Sequence, residues 1–93
     1  MKLRWTRPAL TDIAEIHAFI AQDNPVAALK VARMLRAQAE SLTAYPMIGR
    51  PGRIAGTREL VVASLPYIIA YRLAETSVDI LAIRHGARQP PAG

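Results

Sequence analysis

The chain has no cysteine among its 93 residues, which excludes a disulfide framework and a thiolate-held metal. Histidine is nearly as scarce, since His17 and His85 are too few to build a zinc site from imidazoles alone. No stretch approaches the run of about 18 apolar residues that a membrane span needs. The opening Met1-Lys2-Leu3-Arg4-Trp5 turns polar before a signal-peptide core can form. A cytoplasmic protein with no membrane association is the expectation. Acids are also short: 7 Asp and Glu stand against 12 Lys and Arg, for a formal net charge of +5. That balance favours an anionic partner such as nucleic acid, a ribonucleoprotein or an acidic protein.

What is present fits one small domain. A hydrophobic share of 52% argues against disorder, and the length suffices for a single modest core. In the second half every cation is arginine: Arg50, Arg53, Arg58, Arg72, Arg84 and Arg88. The planar fork of arginine suits carboxylates and phosphates better than the point charge of lysine.

Taken in order, Lys2 to Thr6 alternates as a brief strand that Pro8 ends. A first helix follows, with Pro8 in its first turn and Asp12 and Glu15 towards the positive end of its dipole. A 3.6-residue period places Leu10, Ile13, Ala14, Ile16, His17, Ile20 and Ala21 on its core arc, and leaves Phe19 outside it. Asn24-Pro25 caps and opens a second helix, expected to run to about Tyr45, where Pro46 stops it. Its apolar face is Ala28, Val31, Ala32, Leu35, Ala39 and Leu42, and Leu29 falls off that face. The charged Lys30, Arg33 and Arg36 read as its solvated side.

Met47 to Gly56 reads as a loop, then Thr57–Ser64, Tyr67–Leu73 and Val78–His85 read as three strands. Regular alternation sets Asp79, Leu81, Ile83 and His85 against Val78, Ile80, Ala82 and Arg84. Neither strand face is uniformly polar, so both are expected to be partly covered. The expected fold is α+β, in the order β-α-α-β-β-β, a helical hairpin on a small, mainly antiparallel four-stranded sheet. Residues 1–88 form one domain and residues 89–93 a short flexible tail.

The residues offer little for hydrolytic chemistry. The acids of the sheet half are Glu59, Glu75 and Asp79, with Glu75 in a turn. Met47–Gly56 has glycines but neither the lysine nor the hydroxyl residue of a phosphate loop. No nucleophile elbow surrounds Ser64. An arginine cluster that stabilises charge on a phosphate, with His85 moving a proton, is the remaining catalytic arrangement. Consecutive Arg84 and His85 point to opposite faces of a strand, which counts against it. No cofactor or metal is called for.

The phrases NPVAA (24–28), L-x-x-x-P-x-x-G-R (42–50), GTREL (56–60), PYIIAYR (66–72) and VDILAIRHGAR (78–88) occur in an order that resembles the RelE/ParE family of bacterial toxins. The resemblance spans Trp5 to Arg88. It implies the toxin half of a type II toxin–antitoxin pair, neutralised in a hetero-oligomer by an antitoxin segment that folds on binding. One branch of the family cleaves messenger RNA in the ribosome, and the other inhibits DNA gyrase without chemistry of its own. Nucleases of the family typically carry a basic residue where Ile68 stands and a tyrosine or histidine where Gly86 and Ala87 stand. Their basic loop is commonly lysine-rich, whereas Met47–Gly56 offers Arg50 and Arg53. The spelling IRHGAR with a proline-bearing tail looks closer to the ParE branch.

The resemblance thus implies a gyrase inhibitor acting by protein–protein contact, with Arg84, His85, Arg88, Arg58 and Arg72 as target contacts and no catalytic residues. The alternatives are a ribosome-dependent endoribonuclease using Arg58, Arg72, Arg84 and His85, or an inactive member that only binds antitoxin. Phe19 and Leu29, apolar and off their helices' core faces, are the candidate antitoxin contacts.

Overall fold

The computed structural model describes residues 1–86; Arg88 and the expected tail, 89–93, lie outside the described residues. The elements are β1 (Lys2–Trp5), α1 (Arg7–Ala21), α2 (Pro25–Ser41), β2 (Arg50–Pro51), β3 (Thr57–Val61), β4 (Tyr67–Leu73) and β5 (Ser77–His85). The strands form one sheet in the order β1-β5-β4-β3-β2, parallel between β1 and β5 and antiparallel elsewhere. The α+β arrangement of a helical hairpin against a mainly antiparallel sheet is as expected. One strand is added to it. Arg50 and Pro51 pair with Glu59 and Arg58, so a segment read as loop supplies an edge strand and the sheet has five strands. Two residues are too few to show a period, and Pro51 is tolerated because it sits at the edge.

The second helix forms where its capping residues demand. The Asn24 side chain accepts a hydrogen bond from the Ala27 N–H at 3.0 Å, and Pro25 fills the first position. Ala28, Leu35, Ala39 and Leu42 are buried along one side. The helix ends at Ser41 rather than near Tyr45, and the chain continues in turns to Pro46, which disfavours helical backbone at Tyr45.

The first helix keeps Ile13, Ile16, His17, Ile20 and Ala21 of its expected arc buried or half-buried, but is rotated enough to expose the other two. Ala9 and Ile13 are buried, whereas Leu10 is 45% exposed and Ala14 is exposed. The cause lies at Asp12, whose carboxylate accepts a hydrogen bond from the Ile83 N–H at 2.9 Å. β1 pairs with β5 only as far as Trp5 and Ile80, so the edge of β5 beyond that point needs an acceptor from elsewhere. Asp12 supplies it instead of serving the helix dipole, and holds residues 9, 12 and 13 against the sheet. Thr6, between β1 and α1, donates its hydroxyl to the Ile80 carbonyl at 2.6 Å.

The core lies between the hairpin and one sheet face. Tyr67, Ile69 and Tyr71 of β4 and Val78, Ile80 and Ile83 of β5 meet Ala9, Ile13, Leu35, Ala39 and Leu42 there. The pairs Ala70–Ala82 and Tyr71–Ile80 leave Leu81 unmatched, which is a β-bulge. The bulge overturns the regular alternation expected for β5. Val78 and Ile80 share the helix-covered face with Ile83 and His85, while Asp79 joins Ala82 and Arg84 on the other.

Candidate functional site

The register maps the outer sheet face, the one turned away from the helices. Arg4, Asp79, Arg72 and Thr57 lie in one row across β1, β5, β4 and β3. Ala82, Ala70, Glu59 and Arg50 form the next, and Arg84, Ile68 and Val61 the third. Among the described residues no helix covers this face. Its partial covering comes from its own arginines, which lie over the carboxylates of the face.

Two carboxylates on this face are buried, and each is bracketed by two arginines from different strands. Asp79, 2% exposed, accepts two hydrogen bonds from Arg4, at 3.0 Å from Nε and 2.9 Å from Nη2. It also accepts one from the Ser77 hydroxyl at 2.8 Å and meets Arg72 Nη2 at 3.4 Å. The Arg4 fork, then Ser77, hold its carboxyl far below the usual carboxylate range despite burial, and Asp79 in turn raises the pKa of Arg4.

Glu59, 7% exposed, meets Arg84 Nη2 at 2.7 Å and Arg50 Nη2 at 3.4 Å. Burial pushes its carboxyl up, but Arg84, the Arg53 backbone N–H and Arg50 together more than offset this, and it stays below its ordinary value. Arg84 reaches Glu59 from two strands away. The outer-face position of β4 between them is Ala70, whose single methyl leaves room for a long side chain to cross. The Arg84 Nε is buried and, among the described residues, has no hydrogen-bond partner.

The other expected site residues are dispersed. Arg58 lies on the helix side of the sheet and donates to the Gly49 carbonyl at 2.6 Å and the Met47 carbonyl at 3.4 Å, which ties down the segment before β2. His85 also faces the helix side, its ring edge-on to Tyr67 at 5.6 Å between centroids. Arg84 and Arg72 are therefore brought onto one face with Arg4 and Arg50, and His85 and Arg58 are not. Arg88 lies outside the described residues. Arg4, Arg50, Glu59 and Asp79 carried no local signal as members of a site. Arg4 and Asp79 are 75 positions apart, and only the parallel pairing of β1 with β5 joins them.

On the helices, Phe19 is 68% exposed and Leu29 46%. Leu29 lines a groove of about 350 Å³ with Val26, Lys30, Arg33, Met34 and Ala37, a stripe along the outside of α2. Among the described residues no group of three or more acids and histidines could hold a metal ion, and no helix is long and apolar enough to cross a membrane.

Comparison with known proteins gives this geometry a family. Residues 3–90 match the model for the ParE toxin of the type II toxin–antitoxin system parDE. The chain is 46% identical over 90 residues to the putative toxin Y4kP of Sinorhizobium fredii, covering 97% of this chain and 93% of that one. It is 45% identical over 84 residues to toxin RelE2 of Caulobacter vibrioides, covering 90% and 93%. Among solved structures, the chromosomal ParDE toxin–antitoxin system of P. aeruginosa superposes with a TM-score of 0.82 at 30% identity, covering 91% of this chain and 95% of that one. The RelBE2 toxin–antitoxin complex of Mycobacterium tuberculosis follows with a TM-score of 0.61 at 26% identity, covering 90% and 95%. With its sequence matched nearly end to end and its fold shared, the chain belongs to the RelE/ParE family of type II toxin–antitoxin toxins.

Proposed function

We propose that this toxin arrests growth by capturing DNA gyrase through protein–protein contact in the cytoplasm, and that a cognate antitoxin neutralises it. The observation that carries the reading is the separation of the outer-face cations from His85. The outer-face arginines are paired with Asp79 and Glu59, both ionised and held below the ordinary carboxylate range, which makes them weak bases. His85, the proton carrier a nuclease would use, turns to the opposite face. Cations without an acid–base partner make a docking surface.

An antitoxin partner is supported by two structural neighbours that are toxin–antitoxin assemblies. Leu29 and its groove are the antitoxin contact in this reading, with Lys30 and Arg33 meeting acidic side chains, and exposed Phe19 extends the contact.

The test is a gyrase supercoiling assay with antitoxin-free protein, run beside a translation extract. Loss of supercoiling with trapped cleaved DNA and intact messages is expected. Replacing Arg84 and Arg72 by alanine is expected to abolish the effect while the protein stays folded. Cleaved messages with normal supercoiling would overturn the reading in favour of a ribosome-dependent endoribonuclease, and the absence of both effects would point to a member that only binds antitoxin.

A further inference from the structure

The outer sheet face combines two properties that one ligand chemistry explains. Its ion-pair network sets four arginines against two carboxylates, an excess of two positive charges within the network. Between the arginine pairs the floor is Ala70 and Ala82, with Ile68 and Val61 beside them, and none of the described aromatic residues lies on it. Single-stranded nucleic acid is held by stacking on aromatic rings as well as by cations. A floor of methyl and aliphatic groups between guanidinium forks instead suits a protein segment that presents acidic and apolar side chains together.

We propose that Glu59 is a positioning residue for this face: it draws Arg84 across the sheet and Arg50 in from the edge, and so presents both guanidinium groups to the carboxylates of an acidic, partly apolar protein segment. Each of these arginines gives Glu59 one Nη2 and keeps further N–H donors for a partner. The crossing depends on Ala70, since a longer side chain there would stand in the path of Arg84. Arg84 is the more buried and the more closely held of the two, with its side chain 31% exposed and 2.7 Å from Glu59 against 60% and 3.4 Å for Arg50. Holding arginines in place before binding removes the entropy cost of fixing them at the moment of contact.

The inference rests on the protein-capture reading but does not depend on gyrase as the captured protein. Its test therefore uses defined probes: a synthetic peptide of alternating glutamate and leucine, and an oligothymidylate of the same charge. The full chain, free of antitoxin, is titrated with each at low salt, with the Arg side-chain Nε–H resonances recorded. The peptide is expected to bind more tightly than the oligonucleotide and to shift the Arg84 and Arg50 signals.

Glu59→Gln decides the sign. A Glu59 that merely neutralised its arginines would, once removed, leave the face more positive and raise the affinity for an anion. A positioning Glu59 lowers it, by about tenfold if the fork is lost. Ala70→Leu, which changes no charge, is expected to weaken peptide binding similarly, and it decides the matter if Glu59→Gln does not fold. Unchanged or tighter peptide binding in these variants, no peptide binding by the unaltered chain, or tighter binding of the oligonucleotide would each overturn the proposal.

Discussion

The phenol of Tyr71, fully buried in the centre of β4, accepts a hydrogen bond from the Gly49 N–H at 2.9 Å and donates one to the Pro46 carbonyl at 2.8 Å. One side chain thus satisfies both ends of the turn at residues 46–49 that leads into β2. Arg58, the register partner of Tyr71 on β3, holds the same segment through the Gly49 carbonyl. The edge strand that delivers Arg50 to Glu59 is therefore held by a buried hydroxyl two strands away.

Tyr71→Phe is expected to leave the Gly49 N–H buried without a partner and to cost about 1–3 kcal/mol, read as a lower urea midpoint with unchanged slope. Gly49→Ala is expected to cost more. A β-carbon at Gly49 would stand 2.5 Å from the Tyr71 hydroxyl oxygen and 2.9 Å from the Glu59 carbonyl oxygen, and neither the packed ring nor the strand backbone has room to yield.

Asp79 makes stability depend on acid. Its pKa is lowered in the folded protein, chiefly by the Arg4 and Ser77 hydrogen bonds. Its contribution is therefore complete above the unfolded value of about 4 and is lost as the pH falls from there towards the lower folded value. Glu59, also lowered, acts in the same direction. The melting temperature is expected to hold near neutrality and to drop below about pH 5. In Asp79→Asn that acid-dependent drop should be shallower, because the variant has already lost the ionised partner of Arg4 and Arg72. Its stability at neutral pH should be lower by about 2 kcal/mol. An acid profile identical to that of the unaltered chain would contradict the assignment.

Deleting Leu81 removes the bulge. The shortened strand would alternate regularly, with Asp79, Ala82 and Arg84 still on one face and Val78, Ile80, Ile83 and His85 still on the other. Both the core side chains and the charged pairs would keep their sides of the sheet. The deletion is therefore expected to preserve cooperative thermal unfolding, whereas deleting Ala70 from the regular strand β4 would set Ile69 and Tyr71 on opposite faces and is expected to abolish it. Loss of cooperative unfolding on deleting Leu81 would show that the extra residue is needed to set the faces.

Much of this protein was legible in its sequence because the signals are local. Asn24-Pro25 announces the start of α2 through groups three residues apart, the Tyr67–Leu73 alternation marks β4, and the order of short phrases marks the family. Of the expected site residues, Arg58, Arg72, Arg84 and His85 fall on strands of the sheet. The sequence by itself thus determined the elements, their order and the arginine-rich character of the second half.

Tertiary structure decided which groups meet. Arg4 joins Asp79 only because β1 returns beside β5, and Arg84 shares a face with Asp79 only because Leu81 is unpaired. Arg50 reaches Glu59 only because two residues pair at the sheet edge, and α1 takes its rotation from the bond between Asp12 and Ile83. Caps and periods are written in neighbouring residues, whereas strand register is settled between segments far apart in the chain. A shift of one residue in register exchanges the two faces of a strand, and with them the partners of every charge on it.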